Sequence, residues 1–452
     1  MSKGALMNID LDDAAQIYEL DRAHVFHSWS AQAQINPMTV TRAEGSHVWD
    51  GEGRKFLDFS SQLVNTNIGH QHPKVIQAIK DQADSIATIA PAHAVKPRSE
   101  AAALITGLAP DDMDYVFFTN GGADANENAV RLARLHTGRQ KVLSAYRSFH
   151  GATSLAVNLT GDPRRIPNDT PGEGVVHFFP PHTYRSHFGT DNEHDETERA
   201  LRHLEDVIVL EGAQNIAALI LETIPGTAGI YAPPPGYLEG VRELTRKYGI
   251  MYIADEVMAG FGRSGSWFAF EQFNVVPDLI TFAKGVNSGY VPLGGVIMSN
   301  EIKQTFDDRV FPGGLTYSGH PLATAAAAAT IKTMREEEMV ENAARLGEEV
   351  IRPALEKMHA NHPSVGDVRG RGCFWAIELV KSKETREPLA PYGATSEAMN
   401  ATIAKIKEYG VLPFANFNRI HVVPPLNTPD DDVVAGLDAI DRALDVADSF
   451  TE

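Results

Sequence analysis

Four short stretches carry the residue types that could do chemistry. In "IMYIADEVMAGFGRSG" an apolar run ends in Asp255-Glu256 and a glycine-rich loop follows. Carboxylates at such a point could bind a metal, act as acid or base, or pair with a cationic ring nitrogen, and Asp255 could instead cap a helix. In "DLITFAKGVNSGYVPLGG" a second apolar run ends at Lys284, 29 residues after Asp255. Lysines are mostly exposed and solvated. A lysine in a partly desolvated pocket instead loses its proton more readily and can form a Schiff base. In "DYVFFTNGGADANENAVRLARLH" a run ends at Asn120, Gly121 and Gly122 turn the chain, and a helix is predicted from about Ala123. Free N–H groups and the helix dipole then point at one spot, which suits an anion or phosphate, although a plain strand–helix turn uses the same glycines. In "AYRSFHGAT", Phe149 and His150 follow another strand-like run. An aromatic there could cover a flat ring or simply fill a core.

These stretches need a scaffold that brings them to one edge. From about 70 to 330, helical segments such as "HPKVIQAIKDQADSIA" and "RSEAAALITGLA" alternate with the short runs "DYVFFTN", "KVLSAY", "IAALILET", "GIMYIADEV" and "DLITFAKG". That alternation predicts an α/β domain with a mainly parallel sheet. In such sheets ligands sit at the carboxyl ends of strands, so Asp255 and Lys284 would share an edge if their strands are neighbours. Residues 1 to about 35 have helical spacing, and "GSHVWDGEGRKFLDFSS" reads as a β-hairpin. "HPLATAAAAATIKTMREEE" is strongly helix-forming, and its small residues suit close packing, even a bridge between domains. Beyond about 335 fewer strands ("VRGRGCFWAIELV", "RIHVVPPL") suit a smaller α+β domain. The expected division is a segment 1–60 packing with the small domain, a large α/β domain over 61–330, and a small domain over 331–452. Residues 160 to 200 read as the loopiest part.

A phosphate cradle, a carboxylate for a ring nitrogen, an aromatic lid and a Schiff-base lysine together describe a pyridoxal phosphate site. The protonated pyridine makes the ring an electron sink, the carboxylate keeps it protonated, and the freed lysine shuttles a proton.

Composition bounds the rest. The 452 residues are 43% hydrophobic and 22% charged, an ordinary globular profile. Net charge is 40 − 59 = −19, which disfavours nucleic acid and anionic membranes as partners. One cysteine, Cys373, excludes an intrachain disulfide and suggests a reducing compartment. With no signal-peptide pattern and no run of about 18 apolar residues, a cytoplasmic protein is expected. His24 and His27, like His70 and His72, lack the partners of a metal site, so no metal is expected. "REEEMVEN" reads as a solvated helix face.

From about residue 20 to the end the chain resembles the class III aminotransferases, pyridoxal phosphate enzymes of fold type I, including taurine–pyruvate transaminases. The resemblance is carried by "IADEVMAGFGRSG", "FAKGVNSGYVPLGGV", "TYSGHPLA" and "VRGRGCFWAIEL". It implies Lys284 as the Schiff-base lysine and Asp255 as the partner of the pyridine nitrogen. Val257 and Phe149 would face the ring, with His150 beside them. Gly121, Gly122 and Ala123 would form the phosphate turn, and Glu222 in "LETIPG" would lie near the cofactor. Relatives often have tyrosine at Phe149 and a Ser-Gly-Ser turn where this chain reads Gly-Gly-Ala, so hydroxyl donors are missing here. Thr316 matches a threonine that reaches the phosphate of a neighbouring subunit, which implies a homodimer with shared sites, and dimers could pair into tetramers. Val64 stands where some amine:pyruvate relatives carry a pocket tryptophan, and Trp29 could supply an aromatic wall instead. Phe414 stands at a usual arginine position. Nearby Arg419 either takes the substrate acid group or makes an ordinary surface pair. The implied reaction is ping-pong transfer from an ω-amino acid or primary amine to a keto acid, with pyridoxamine phosphate as the aminated cofactor form. Pyruvate is the expected acceptor. The alternatives are 2-oxoglutarate, as in the ornithine or 4-aminobutyrate branches, and an aminomutase or racemase on the same scaffold.

Overall fold

A computed structural model describes residues 13–170 and 172–452. Seven strands form one sheet in the order Tyr115–Thr119, Gly294–Met298, Leu279–Phe282, Met251–Asp255, Ile216–Glu222, Lys141–Ala145, Val175–Phe178. Gly294–Met298 runs antiparallel to both neighbours, and the pairings among the other strands are parallel. Every residue of Ile216–Glu222 is buried, the pattern of a parallel strand covered by helices on both faces. All five runs expected as strands are strands of this sheet. Asp255 pairs with Thr281 on one side and Glu222 on the other, so the two anticipated runs are indeed adjacent and parallel.

Two strands of this sheet lay hidden in the sequence. Val175–Phe178 sits inside the stretch read as loop, which also holds the start of the helix Glu193–Leu210. Gly294–Met298 is masked by its glycines. A Cβ at Gly295 would lie 2.4 Å from the Phe282 ring, and one at Gly294 2.5 Å from the Gly121 carbonyl, so close backbone approach excludes larger residues.

The expected hairpin forms from His47–Asp50 and Lys55–Asp58, and Val411–Leu412 joins it in parallel. A third sheet holds Val365–Arg371, Phe374–Leu379, Arg419–Val422 and Phe414–Asn416, all antiparallel. The helix Pro321–Glu336 touches two cores. Ala323, Ala327 and Ile331 pack under the large sheet, while Ala326 and Met334 join the cluster around Trp375 and Ile377. Small side chains let it approach both. Near the N-terminus the helix covers only Ala14–His24, and residues 1–12 of the expected lead-in lie outside the described residues. The run at 336–338 is not simply solvated, because Lys74 pairs with Glu336 at 2.8 Å and Glu337 at 3.0 Å. Among the described residues no helix is long and apolar enough to cross a membrane.

Candidate active site

A cavity of about 400 Å³ opens at the carboxyl ends of the large sheet's central strands. Lys284, Asp255, Glu222, Val257, Phe149, His150, Gly121, Gly122, Ala123 and Trp29 all line it. Residues from six separate stretches therefore meet where parallel-sheet topology places ligands.

Lys284 follows the strand Leu279–Phe282 and has a φ of 44°, a conformation that a side chain with a Cβ adopts at a cost. Burial pulls its ammonium down to about 8, while Asp255 and Glu222 pull the other way and Arg164 adds to the lowering. The result is an amine that gives up its proton near neutral pH.

Asp255 ends its strand 3% exposed. One carboxylate oxygen, Oδ2, accepts from His150 Nδ1 at 2.7 Å and Asn126 Nδ2 at 2.8 Å, and Oδ1 accepts from the Val257 N–H at 3.0 Å. A buried charge persists only with such partners. Asp255 does not cap a helix. Its neighbour Glu256 points away from the cavity and accepts from Thr223 Oγ1 and the Ala269 and Phe270 N–H groups, and burial pushes it up to about 7. Glu222 accepts from the N–H groups of Phe149 and Gly226, both at 2.9 Å, and burial pushes its carboxyl up.

The helix after the glycine turn runs Gly122–Thr137, and Gly121 offers no side-chain cap. Its first N–H groups are left for an anion. A Cβ at Gly122 would lie 2.8 Å from Val257 Cγ1, so this turn must pass close to the side chain expected on the ring face.

Three residues anticipated from sequence lie off the cavity lining. Val64 is turned inward, 1% exposed and part of the large core, and Leu63 lines the cavity instead. The cause is a kink: Ser61, Gln62 and Val64 all have positive φ, so the side-chain alternation inverts. Thr316 is exposed on the stretch before Pro321–Glu336. Arg419 is not a surface residue, being 3% exposed and without an ion pair among the described residues. Its Nη2 donates to the Thr227 carbonyl at 3.1 Å, and burial lowers it to about 10. Phe414 packs edge-on against His421.

Sequence reasoning missed Arg164, Asn126 and Thr227. Arg164 lies in "GDPRRIPND", where no periodicity marks it. Its guanidinium stands 3.7 Å over the Phe149 ring, pairs with Asp162 and donates to Thr227 Oγ1 at 3.0 Å. Thr227 lines the cavity, and Arg164 and Arg419, both off the lining itself, donate to it from behind. Asn126 also lines it, four residues into the helix after Gly122, and that spacing was its only signal.

These residues fit pyridoxal phosphate. The uncapped helix end suits its phosphate, Val257 and Phe149 suit a flat ring, the buried Asp255 carboxylate suits a ring N–H, and Lys284 suits its aldehyde.

Comparison with known proteins agrees. The family profile described as aminotransferase class-III matches residues 29–444. Putrescine–pyruvate aminotransferase of Pseudomonas aeruginosa is 36% identical over 390 residues, 83% of this chain and 84% of its own. Taurine–pyruvate aminotransferase of Bilophila wadsworthia is 32% identical, covering 94% and 97%. Among solved structures, a taurine:2-oxoglutarate aminotransferase from Bifidobacterium kashiwanohense, in complex with pyridoxal phosphate and glutamate, superposes with a TM-score of 0.94 at 41% identity, covering 98% and 99%. With lysine, carboxylate and glycine turn gathered at one sheet edge, the chain belongs to the class III aminotransferases, pyridoxal phosphate enzymes.

Proposed function

We propose that this aminotransferase takes the amino group of an ω-amino acid with an anionic far end, taurine among them, and passes it to 2-oxoglutarate. The observation that carries this is that Arg164 and Arg419 both donate to Thr227, a residue of the cavity wall, and so stand one residue behind the cavity. A dicarboxylate keto acid has a second acid group for a second guanidinium, and a carboxylate or sulfonate on the donor fits the same cations in the other half-reaction. The same charges act against a diamine such as putrescine, whose far end is cationic. Pyruvate is the second reading. It is supported by the pyruvate-dependent relatives and by the apolar wall of Leu63, Trp29, Met258 and Leu293.

Pyridoxal phosphate, when bound, supplies the electron sink and stores the amino group between the two halves. Lys284 Nζ, held at low proton affinity, moves the proton. Asp255 would hold the ring nitrogen's charge, Val257 and Phe149 would orient the ring, and the N–H groups from Gly121 to Ala123 would bind phosphate without help from serine hydroxyls. Trp29 walls the substrate end, 64% exposed with a φ of 53°. We also propose a homodimer in which Thr316 reaches the partner's phosphate. Its exposed apolar neighbours Val310 and Tyr317 support a covered surface there. An active monomer in sedimentation runs would refute the dimer.

The deciding experiment measures initial rates for taurine, 4-aminobutyrate and putrescine against both keto acids, in wild type and in Arg164→Met. The expected variant raises the KM for 2-oxoglutarate by about tenfold or more and alters pyruvate use little. Exclusive use of pyruvate, or an unchanged KM for 2-oxoglutarate in the variant, would overturn the proposal.

A further inference from the structure

Asp255 is held by more than its histidine. Asn126 gives one amide N–H to Asp255 Oδ2 and the other to the His150 carbonyl, each at 2.8 Å. Both partners only accept, so the amide nitrogen must face them. The amide oxygen must then face Thr281 Oγ1, 2.7 Å away, and the hydroxyl must donate. Thr281 lies directly across from Asp255 in the parallel ladder. All four side chains are buried: Thr281 is 0% exposed, Asn126 1%, His150 2% and Asp255 3%.

We infer that Thr281 and Asn126 are a positioning pair that sets how Asp255 meets the cofactor. The two donors on Oδ2 leave that oxygen saturated. Oδ1 has only the Val257 N–H, so it keeps a lone pair for the ring nitrogen. Removing the Thr281 hydroxyl leaves the Asn126 amide oxygen buried without a donor. Turning the amide over is no escape, because its oxygen would then face the Asp255 carboxylate and the His150 carbonyl. The strain therefore passes to the carboxylate. The second link runs through the backbone: Asn126 also fixes the His150 carbonyl, next to the Phe149 ring.

Thr281→Val keeps the side-chain shape and deletes only the hydroxyl. Apoenzyme of this variant, titrated with pyridoxal phosphate and read by absorbance, should bind about tenfold more weakly, the loss expected for a buried hydrogen bond. The pH midpoint of the bound cofactor's visible band should move, kcat should fall, and donor KM should change by less than about twofold. Thr281→Ser should restore affinity and band midpoint together. A merely structural threonine would lower apoenzyme stability and leave the affinity and the band untouched. That outcome, or a serine variant that fails to restore them, overturns the inference. If the valine variant does not fold, Asn126→Asp, which sets a carboxylate against Asp255, is read in the same two assays, and wild-type affinity with an unmoved band overturns it equally.

Discussion

Replacing Lys284 with methionine separates the cost of its burial from its chemistry. In the folded apoenzyme burial brings the ammonium from 10.5 to about 8. That gap corresponds to about 3 kcal/mol of penalty on the charged form, and the side chain's partial exposure to the water-accessible cavity reduces it to about 1–3 kcal/mol. The folded value lies below the unfolded one. The unfolded chain therefore binds more protons between about pH 8 and 10.5, and wild-type stability gains with rising pH across that window. Below pH 8 the full penalty is present. Lys284→Met carries no such charge, so at pH 7 its apoenzyme should be more stable than wild type by about 1–3 kcal/mol, and the advantage should shrink towards zero by about pH 10.5. Urea denaturation of both cofactor-free proteins, followed by far-ultraviolet circular dichroism from pH 7 to 10.5, reads the difference. Alkaline effects on other groups act on both proteins and cancel. A stability difference that stays flat with pH would refute the argument, because it would place Lys284 in a solvated setting with an ordinary proton affinity.

Two further perturbations test the walls of the cavity. Gly122→Ala sets a Cβ 2.8 Å from Val257 Cγ1, so the turn or Val257 must shift, and cofactor affinity measured by apoenzyme titration should fall by about tenfold with little change in substrate KM. Wild-type affinity would show that the turn has slack. Leu63→Ala should change the donor profile in rate assays while leaving stability nearly intact, whereas Val64→Ala, in the core, should cost about 1–3 kcal/mol in urea unfolding and leave the donor profile alone. The reverse pattern would mean that the 61–64 kink is not populated in solution.

The chemistry at strand ends was legible because two independent rules meet there. Apolar runs of four to seven residues mark the parallel strands, and parallel sheets present their ligands at the carboxyl ends. Asp255 and Lys284 each stand at the end of such a run, so their types and their place could be inferred together, whereas Glu222 came from the resemblance alone. The substrate end was not legible, and the reason is geometric. Resemblance pointed to Val64, but positive φ at Ser61, Gln62 and Val64 turns that side chain into the core, and Leu63 lines the cavity instead. Arg164 comes from a loop whose position is set by its pairing with Asp162 and its stacking on Phe149. Neither contact leaves a periodic trace. Arg419 was visible as a residue but not as a buried cation, because its setting depends on the Arg369–Glu378 ion pair at 2.6 Å and on the Gly229 carbonyl that Arg369 holds at 2.8 Å. The cofactor end is thus built on regular elements whose rules are local. The substrate end is built on loops held by long-range charge contacts, and there function can diverge among relatives without disturbing the sheet.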